Sequence, residues 1–152
     1  MARSHVIAQE RAPRRRDTDE LQQQLNDLVS LAVVGDHVRW VARGDGSAEL
    51  VEWLTASVAE WRGCADRVAQ QLSSSGVAPD GRIRSLVRDI PVNWVPDGWL
   101  SADEGRRLVL DRVARVATWT RYRRSYAEGP RADVLNGIHS CLEAQLTERA
   151  PT

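Results

Sequence analysis

The sequence contains only two cysteines, three histidines and one methionine, and it has no phenylalanine. Cys64 and Cys141 are far apart in the chain and form no CxxC pair, so a disulfide framework or a structural zinc site is not expected. GxGxxG, Walker-type and HExxH motifs are absent, and three histidines provide little material for another kind of active site. The sequence therefore contains no standard catalytic motif.

Long apolar runs are also missing. No run approaches the roughly 18 residues that a membrane-spanning helix requires, and no charged start is followed by an apolar core. We therefore expect neither membrane insertion nor export, and the few cysteines fit a reduced, cytoplasmic setting. A length of 152 residues is typical of a single domain with its own hydrophobic core.

Lysine is absent as well, so all 21 basic residues are arginines, and they balance 21 acidic residues. The zero net charge conceals a division, because residues 1–16 contain five arginines and one glutamate, a net +4, which leaves −4 for residues 17–152. The arginines of this segment are Arg3, Arg11, Arg14, Arg15 and Arg16. The segment has no apolar periodicity and contains Pro13, so we predict a disordered basic tail, followed by a domain at 17–152.

Apolar residues recur at helical spacings of three and four through the rest of the chain and predict four long helices. These helices begin at Asp17 or Thr18, at Ser47, at Ser101 and at about Asp133, and they end near Gly44, Gly76, Glu128 and Glu148. Ser47 is a candidate N-cap, and Ser101 with Glu104 three residues later forms a capping box. A shorter helix, about Arg82 to Arg88, lies between the second and third long helices. With no strand pattern, the sequence predicts an all-α four-helix bundle.

Several segments of these helices are similar to the Dps proteins (DNA-binding proteins from starved cells), the mini-ferritins. The similar segments read RWVARG, LVEWL, ADRVAQQL, RADVL and CLEAQL. They resemble the HWNVRG element of that family, the LHE-type start of its second helix, its ADEIAERI segment and its closing TADLL and LEKQ segments. The resemblance extends over about residues 18–148 and includes the short helix in the second connection. It implies a ferritin-like four-helix bundle that assembles into a hollow homo-dodecamer.

The Dps family oxidises iron at a two-fold interface, where two histidines and an aspartate of one subunit meet an aspartate and a glutamate of its neighbour. At the matching positions this sequence has Arg39, Val51 and Thr55, and then Asp66 and Gln70. Only Asp66 is a retained ligand, and a permanently charged guanidinium would repel Fe(II). The resemblance therefore predicts a ferroxidase activity that is lost or weak. We also predict that Arg39 pairs with Asp66 of the partner subunit.

The remaining candidate ligands do not restore such a centre. His37 is two residues from Arg39, about 200° around the helix, so it should face away from a site that Arg39 lines, and His139 matches no ligand of the family. Trp40 matches the family's tryptophan beside the iron centre, and we interpret it as a packed aromatic at the subunit interface rather than a redox group. Core packing or a subunit interface is the expectation for all six tryptophans. Haem binding of the bacterioferritin type is not expected, because Met1 is the only methionine.

DNA binding is the second activity that the resemblance implies, and in many Dps proteins it belongs to a basic N-terminal tail. The five arginines of residues 1–16 can neutralise phosphates without reading bases. The predicted function is a cytoplasmic, nucleoid-associated shell of the stress response that binds DNA independently of sequence. Two alternatives stay open: an iron-oxidising and iron-storing mini-ferritin that uses residual or non-standard sites, and a structural shell or binder of another ligand. The arginines could also be a solubilising leader.

Overall fold

The computed structural model describes residues 15–89 and 95–148, and within these ranges it is a helical bundle. The helices are α1 (Arg15–Val41), α2 (Ser47–Ser74), α3 (Ile83–Asp89), α4 (Ala102–Tyr126) and α5 (Pro130–Glu148). Helices α1 and α2 form one antiparallel hairpin and α4 and α5 form the other, with α3 in the connection between them. The predicted four-helix bundle with a short extra helix in the second connection is confirmed. Most of the predicted tail, with Arg3, Arg11 and Arg14, lies outside the described residues.

The core of the bundle is formed by the apolar stripes of α1 and α2 together with residues of α4 and α5. Fully buried leucines and valines on these helices surround Trp61, the largest side chain that is inaccessible to solvent. The two helices of the first hairpin approach closely at Gly35, where a Cβ atom would lie 2.7 Å from Cγ2 of Val58 and 2.8 Å from Cζ3 of Trp61. A side chain at this position would therefore separate α1 from α2.

Two helix starts differ from the prediction. Helix α1 is already helical at Arg15, the first described residue, so neither Asp17 nor Thr18 is its N-cap, and the Thr18 hydroxyl donates to the Arg15 carbonyl (2.9 Å) from within the helix. Helix α2 begins at Ser47, but its N-cap is Gly46, which has a φ of 78° and provides no side-chain cap. The predicted Ser47 cap is therefore wrong, because the left-handed glycine turn already directs the chain into the helix.

The second hairpin begins with the predicted capping box, but the end of α4 and the start of α5 differ from the prediction. Ser101 and Glu104 form both bonds of the capping box, at 2.9 and 3.2 Å, immediately before α4. Helix α4 ends at Tyr126, whereas Glu128 was predicted. Helix α5 begins at Pro130 rather than Asp133, because proline has the φ of a first helical residue and needs no hydrogen-bond acceptor there.

A parallel pair of two-residue strands was not predicted. β1 (Ala42–Arg43) follows α1, β2 (Leu100–Ser101) precedes α4, and Ala42 pairs with Leu100. The Arg43 guanidinium also lies over the Trp99 ring, 5.1 Å from its centroid. Strands this short have no measurable alternation, so only the folded chain reveals that the end of α1 is joined to the start of α4.

The connection that contains α3 is attached to α1 by the side-chain amide of Gln22. Its Nε2 donates to the Asp80 carbonyl (2.7 Å), and its Oε1 accepts from the Asp80 amide (2.9 Å). The Asp80 carboxylate accepts hydrogen bonds from Arg82 and Ser85, which hold its pKa well below the usual range of an aspartate. In the part of the chain that the structure describes, no helix is long and apolar enough to span a membrane.

Candidate functional site

Arg39, at the first position of the predicted iron centre, lies in the last turn of α1 and forms an ion pair within its own helix. Its Nη2 donates to Oδ1 of Asp36 (2.9 Å), and Nη2 of Arg62 on α2 donates to the other oxygen of the same carboxylate (2.7 Å). Burial alone would raise the pKa of Asp36, but the hydrogen bonds from Arg62 and Arg39 outweigh burial and lower it. The cluster of Asp36, Arg39 and Arg62 therefore retains one anion between two cations.

The other positions of the predicted iron centre lie on α2. Thr55 is exposed, and its hydroxyl donates to the carbonyl of Val51 one turn earlier (2.8 Å), while Val51 itself is half-buried. Asp66 and Gln70 are exposed and are four residues apart on the helix. Neither a guanidinium nor a valine side chain can bind Fe(II), and the Thr55 hydroxyl is a weak ligand.

These residues do not fit an iron centre of the family's kind. Within residues 15–89 and 95–148, no group of three or more histidine, cysteine, aspartate or glutamate side chains could hold a metal ion. Arg39 is already bound to Asp36, and its buried Nε atom has no hydrogen-bond acceptor within the described part of its own chain. Pairing of Arg39 with Asp66 of the partner subunit stays a prediction.

A groove of about 520 Å³ lies beside this cluster and is bounded by α1, α2 and the segment after residue 94. His37 and Trp40 line it together with Val33, and the Trp40 side chain is 67% exposed. Arg39 does not line the groove, in agreement with the two-residue offset between His37 and Arg39. The Trp40 indole thus offers a broad apolar face at the surface of the subunit.

The last two residues of the predicted basic tail lie within the described part of the chain. Arg15 and Arg16, which were predicted to be disordered, belong to α1 and are exposed. Arg16 bonds to Glu20 (3.3 Å), and its guanidinium lies 5.7 Å from the centroid of the Tyr126 ring. The remaining predicted DNA contacts are outside the described residues.

A stripe of exposed aromatic residues on α4 was not identified from the sequence. Trp119 contacts Tyr122 edge to face (5.9 Å between centroids), and Tyr122 contacts Tyr126 (5.2 Å). Arg16 lies over Tyr126 and Arg123 over Trp119. Spacings of three and four residues could have indicated this stripe, because such positions share one face of a helix.

The other tryptophans and His139 have structural contacts. Trp61 is fully buried and donates from Nε1 to Oε1 of Gln145 (2.8 Å), so the core interpretation is confirmed for this residue. Trp53 contacts Trp61 edge to face, with 6.4 Å between centroids. His139 is half-buried, and its Nδ1 lies 3.4 Å from Nη1 of Arg124. Trp94 lies outside the described residues.

Comparison with the sequences of known proteins gives a distant relative. No family model matches the sequence. The chain is 28% identical over 109 residues to the fine tangled pili major subunit of Haemophilus ducreyi, which includes 72% of this chain and 52% of that protein. The chain thus spans about half the length of this curated relative.

Solved structures match over most of the chain. A Dps92 structure from Deinococcus radiodurans has a TM-score of 0.83 at 20% identity, with 88% of this chain and 82% of that chain covered. A C-terminal deletion mutant of Mycobacterium smegmatis Dps has a TM-score of 0.82 at 21% identity, with coverages of 88% and 93%. A Dps protein from Bacillus brevis has a TM-score of 0.80 at 21% identity, with coverages of 88% and 91%. The predicted resemblance is thereby confirmed, and the chain has the ferritin-like fold of the Dps proteins.

Proposed function

We propose that this protein forms a Dps-type shell that binds DNA independently of sequence and has lost the iron oxidation of the family. The observation that supports this proposal best is the ion pair between Arg39 and Asp36 at the first ligand position. The resemblance places a metal-binding histidine there, whereas this chain has a cation that is already paired with a carboxylate of its own helix. The protective role would then rest on covering DNA rather than on oxidising iron.

The charges of the cluster of Asp36, Arg39 and Arg62 argue against Fe(II) binding there. Arg39 and Arg62 carry two positive charges beside the single carboxylate of Asp36, so a divalent cation entering there meets a net positive charge. Asp36 is unsuitable as a replacement ligand, because both of its oxygens already accept hydrogen bonds. Asp66 alone provides one carboxylate, which is too few ligands for a stable iron site.

The arginines of residues 1–16 are the proposed DNA contact. The last two of them, Arg15 and Arg16, are exposed on α1, and the other three precede them in the sequence. A shell of several subunits would present many such segments to one duplex, and their combined binding would greatly exceed that of one segment. Phosphate contacts release counterions, so binding should weaken steeply as salt rises.

Assembly into a closed shell is the third part of the proposal. Trp40 is a large exposed aromatic that lines a groove together with Val33 and Val34, and exposed aromatic residues are enriched at subunit interfaces. Light scattering and negative-stain electron microscopy should show uniform hollow particles. Filaments would contradict the shell and would favour an assembly like that named for the Haemophilus ducreyi relative.

The iron test uses the full-length protein. Fe(II) is added in air, ferric absorbance is followed against a protein-free control and an active Dps protein, and retained iron is counted. Oxidation no faster than the protein-free control, with little retained iron, is the expected result. Rapid oxidation in proportion to protein would overturn the loss of activity and would favour an iron-storing mini-ferritin.

The DNA test compares two charge-matched pairs of substitutions in the full-length protein. Arg11→Gln with Arg14→Gln removes two charges from the tail, whereas Arg107→Gln with Arg121→Gln removes two exposed charges from α4. Gel-shift titrations at several salt concentrations should show weaker binding and a smaller salt dependence for the first pair only. Equal loss in both pairs would contradict a tail contact, as would unchanged binding after deletion of residues 1–14.

A further inference from the structure

The only two cysteines of the chain meet across the contact between α2 and α5. Cys64 on α2 is fully buried, and Cys141 on α5 is half-buried. Sγ of Cys141 lies 3.4 Å from Oε2 of Glu60, which is one helical turn before Cys64 on α2, so the Cys141 thiol packs against the turn that carries Cys64, and neither cysteine is in a disulfide. The long separation in sequence, which argued against a disulfide framework, therefore does not separate these thiols in space.

Two charged side chains of α2 give the two sulfur atoms different electrostatic surroundings. Nη2 of Arg67 donates to Sγ of Cys64 (3.0 Å), so a cation faces the buried sulfur. Oε2 of Glu60 lies 3.4 Å from Sγ of Cys141, so a carboxylate faces the more accessible one. Gln145 holds Glu60 in place by donating to the same oxygen (2.7 Å).

The surroundings of the two thiols shift their pKa values in opposite directions. The hydrogen bond from Cys141 lowers the pKa of Cys64 to about 7 against the opposing effect of burial, and Arg67 lowers it further. The neighbouring Cys64 sulfur, burial and Glu60 together raise the pKa of Cys141 well above the usual range. Near neutral pH the pair therefore shares one negative charge, and a thiolate is the nucleophilic form of cysteine.

We propose that Cys64 and Cys141 form a dithiol site that reacts with hydrogen peroxide and closes to an intrachain disulfide between α2 and α5. Peroxide is the fitting class of oxidant because it is small enough to reach a half-buried sulfur. The half-buried Cys141 is the point of attack, and the buried Cys64 is the resolving thiol. This inference does not depend on the proposed DNA binding.

In the first step the Cys141 sulfur attacks one oxygen of the peroxide. The Cys64 thiolate takes the Cys141 proton as an S–O bond forms and the O–O bond breaks, and that proton then passes from Cys64 to the leaving hydroxide, which departs as water. In the second step the Cys64 thiolate attacks the sulfur of the resulting sulfenic acid. The S–S bond forms, the S–O bond breaks, and the hydroxide leaves as water with the proton that Cys64 had released. Two thiols are oxidised by two electrons, and one peroxide is reduced to two waters.

The test treats the reduced full-length protein with one equivalent of hydrogen peroxide per chain, removes the excess and counts thiols after denaturation. Loss of both thiols, a mass lower by two hydrogen atoms and a peptide that links residues 64 and 141 are expected. Retention of both thiols would overturn the proposal. A disulfide between two chains would also overturn it.

Single substitutions test the order of the steps. In Cys64→Ser, Cys141 should be trapped as sulfenic acid by dimedone, whereas in Cys141→Ser the buried Cys64 should keep its thiol. Labelling at Cys64 alone would contradict the assignment of Cys141 as the point of attack. Circular dichroism of both variants shows whether they retain the helical fold.

Arg67→Gln keeps both cysteines and tests the charge at the buried sulfur. The rate of disulfide formation in the unsubstituted protein should rise with pH around a midpoint near 7, as the Cys64 thiolate forms. In Arg67→Gln this midpoint should move to higher pH, because the cation that stabilises the thiolate is gone. Arg121→Gln, an exposed position on α4, is the matched control and should leave the profile in place. An unmoved profile in Arg67→Gln would contradict the role of Arg67.

Discussion

Nη2 of Arg39 lies 2.9 Å from Oδ1 of Asp36, one turn earlier on the same helix. The resemblance to the Dps proteins assigns this position to a histidine that binds iron, and here the side chain is held by a carboxylate that also accepts from Arg62. The position that the resemblance assigns to an iron ligand is thus occupied by an arginine that shares the Asp36 carboxylate with Arg62 of α2.

Asp36→Ala should lower the free energy of unfolding by about 1–2 kcal/mol, because it leaves Arg39 and Arg62 close together without their common partner. The expected loss is small because the Arg62 side chain is 54% exposed and its ion pair is screened by solvent. Urea titration measures the change. No difference from the unsubstituted protein would show that the cluster does not stabilise the subunit.

The same cluster predicts that the stability of the folded protein depends on pH. The pKa of Asp36 is lowered in the folded protein, so its stabilising effect is present above the ordinary value of 3.8 and is lost as pH falls through the folded value. Stability of the unsubstituted protein relative to Asp36→Asn should therefore be constant near neutral pH and shrink below about 3.8. A difference that persists unchanged in acid would exclude the ionised carboxylate as its source.

Gly35→Ala should destabilise the bundle by about 1–3 kcal/mol, because the new methyl group would meet Val58 and Trp61 at less than 3 Å. Gly63→Ala is the matched control within a helix, since a Cβ atom there has no neighbour within 4 Å. The control should gain about 0.5–1 kcal/mol from the higher helix propensity of alanine. Thermal unfolding of both variants measures the contrast, and equal effects would contradict close packing at Gly35.

Trp61→Phe should cost about 1–3 kcal/mol, because the buried Oε1 of Gln145 loses its indole donor. Trp53→Phe is the comparison, since Trp53 is only partly buried and contacts Trp61 through its ring. Urea unfolding followed by circular dichroism measures both variants. A smaller loss for Trp61→Phe than for Trp53→Phe would argue against the importance of the hydrogen bond to Gln145.

If the iron centre has been lost through its ligands alone, restoring them should restore activity. The combined substitutions Arg39→His, Val51→His, Thr55→Asp and Gln70→Glu, with Asp66 retained, should oxidise Fe(II) faster than the unsubstituted protein. Adding Asp66→Asn to this variant should abolish most of the gain, which provides the control. If the variant with the restored ligands oxidised Fe(II) no faster than the unsubstituted protein, the loss of these four ligands would not be enough to explain the absence of activity.

Much of the fold could be predicted from local features of the sequence. The capping box of Ser101 and Glu104 depends on residues three apart, and the helical stripes depend on spacings of three and four, so both can be recognised before the chain folds. The start of α2 was predicted at the right residue with the wrong cap, because Gly46 and Ser47 are both acceptable at a helix start. The strand pair of Ala42 and Leu100 was missed, because neither strand is long enough to show a pattern.

The sequence predicted which positions belong to the candidate site but not which contacts their side chains make. By itself the sequence determined the four helices and the separation of five N-terminal arginines from an acidic body. Through the resemblance it also predicted that iron ligands are replaced at Arg39, Val51, Thr55 and Gln70. Only the tertiary structure decided that Arg39 and Arg62 converge on the carboxylate of Asp36 and that Cys141 packs against the turn of α2 that carries Cys64. The physical reason is that helix periodicity states which residues share a face, whereas contacts between helices depend on how those faces pack and at what rotation.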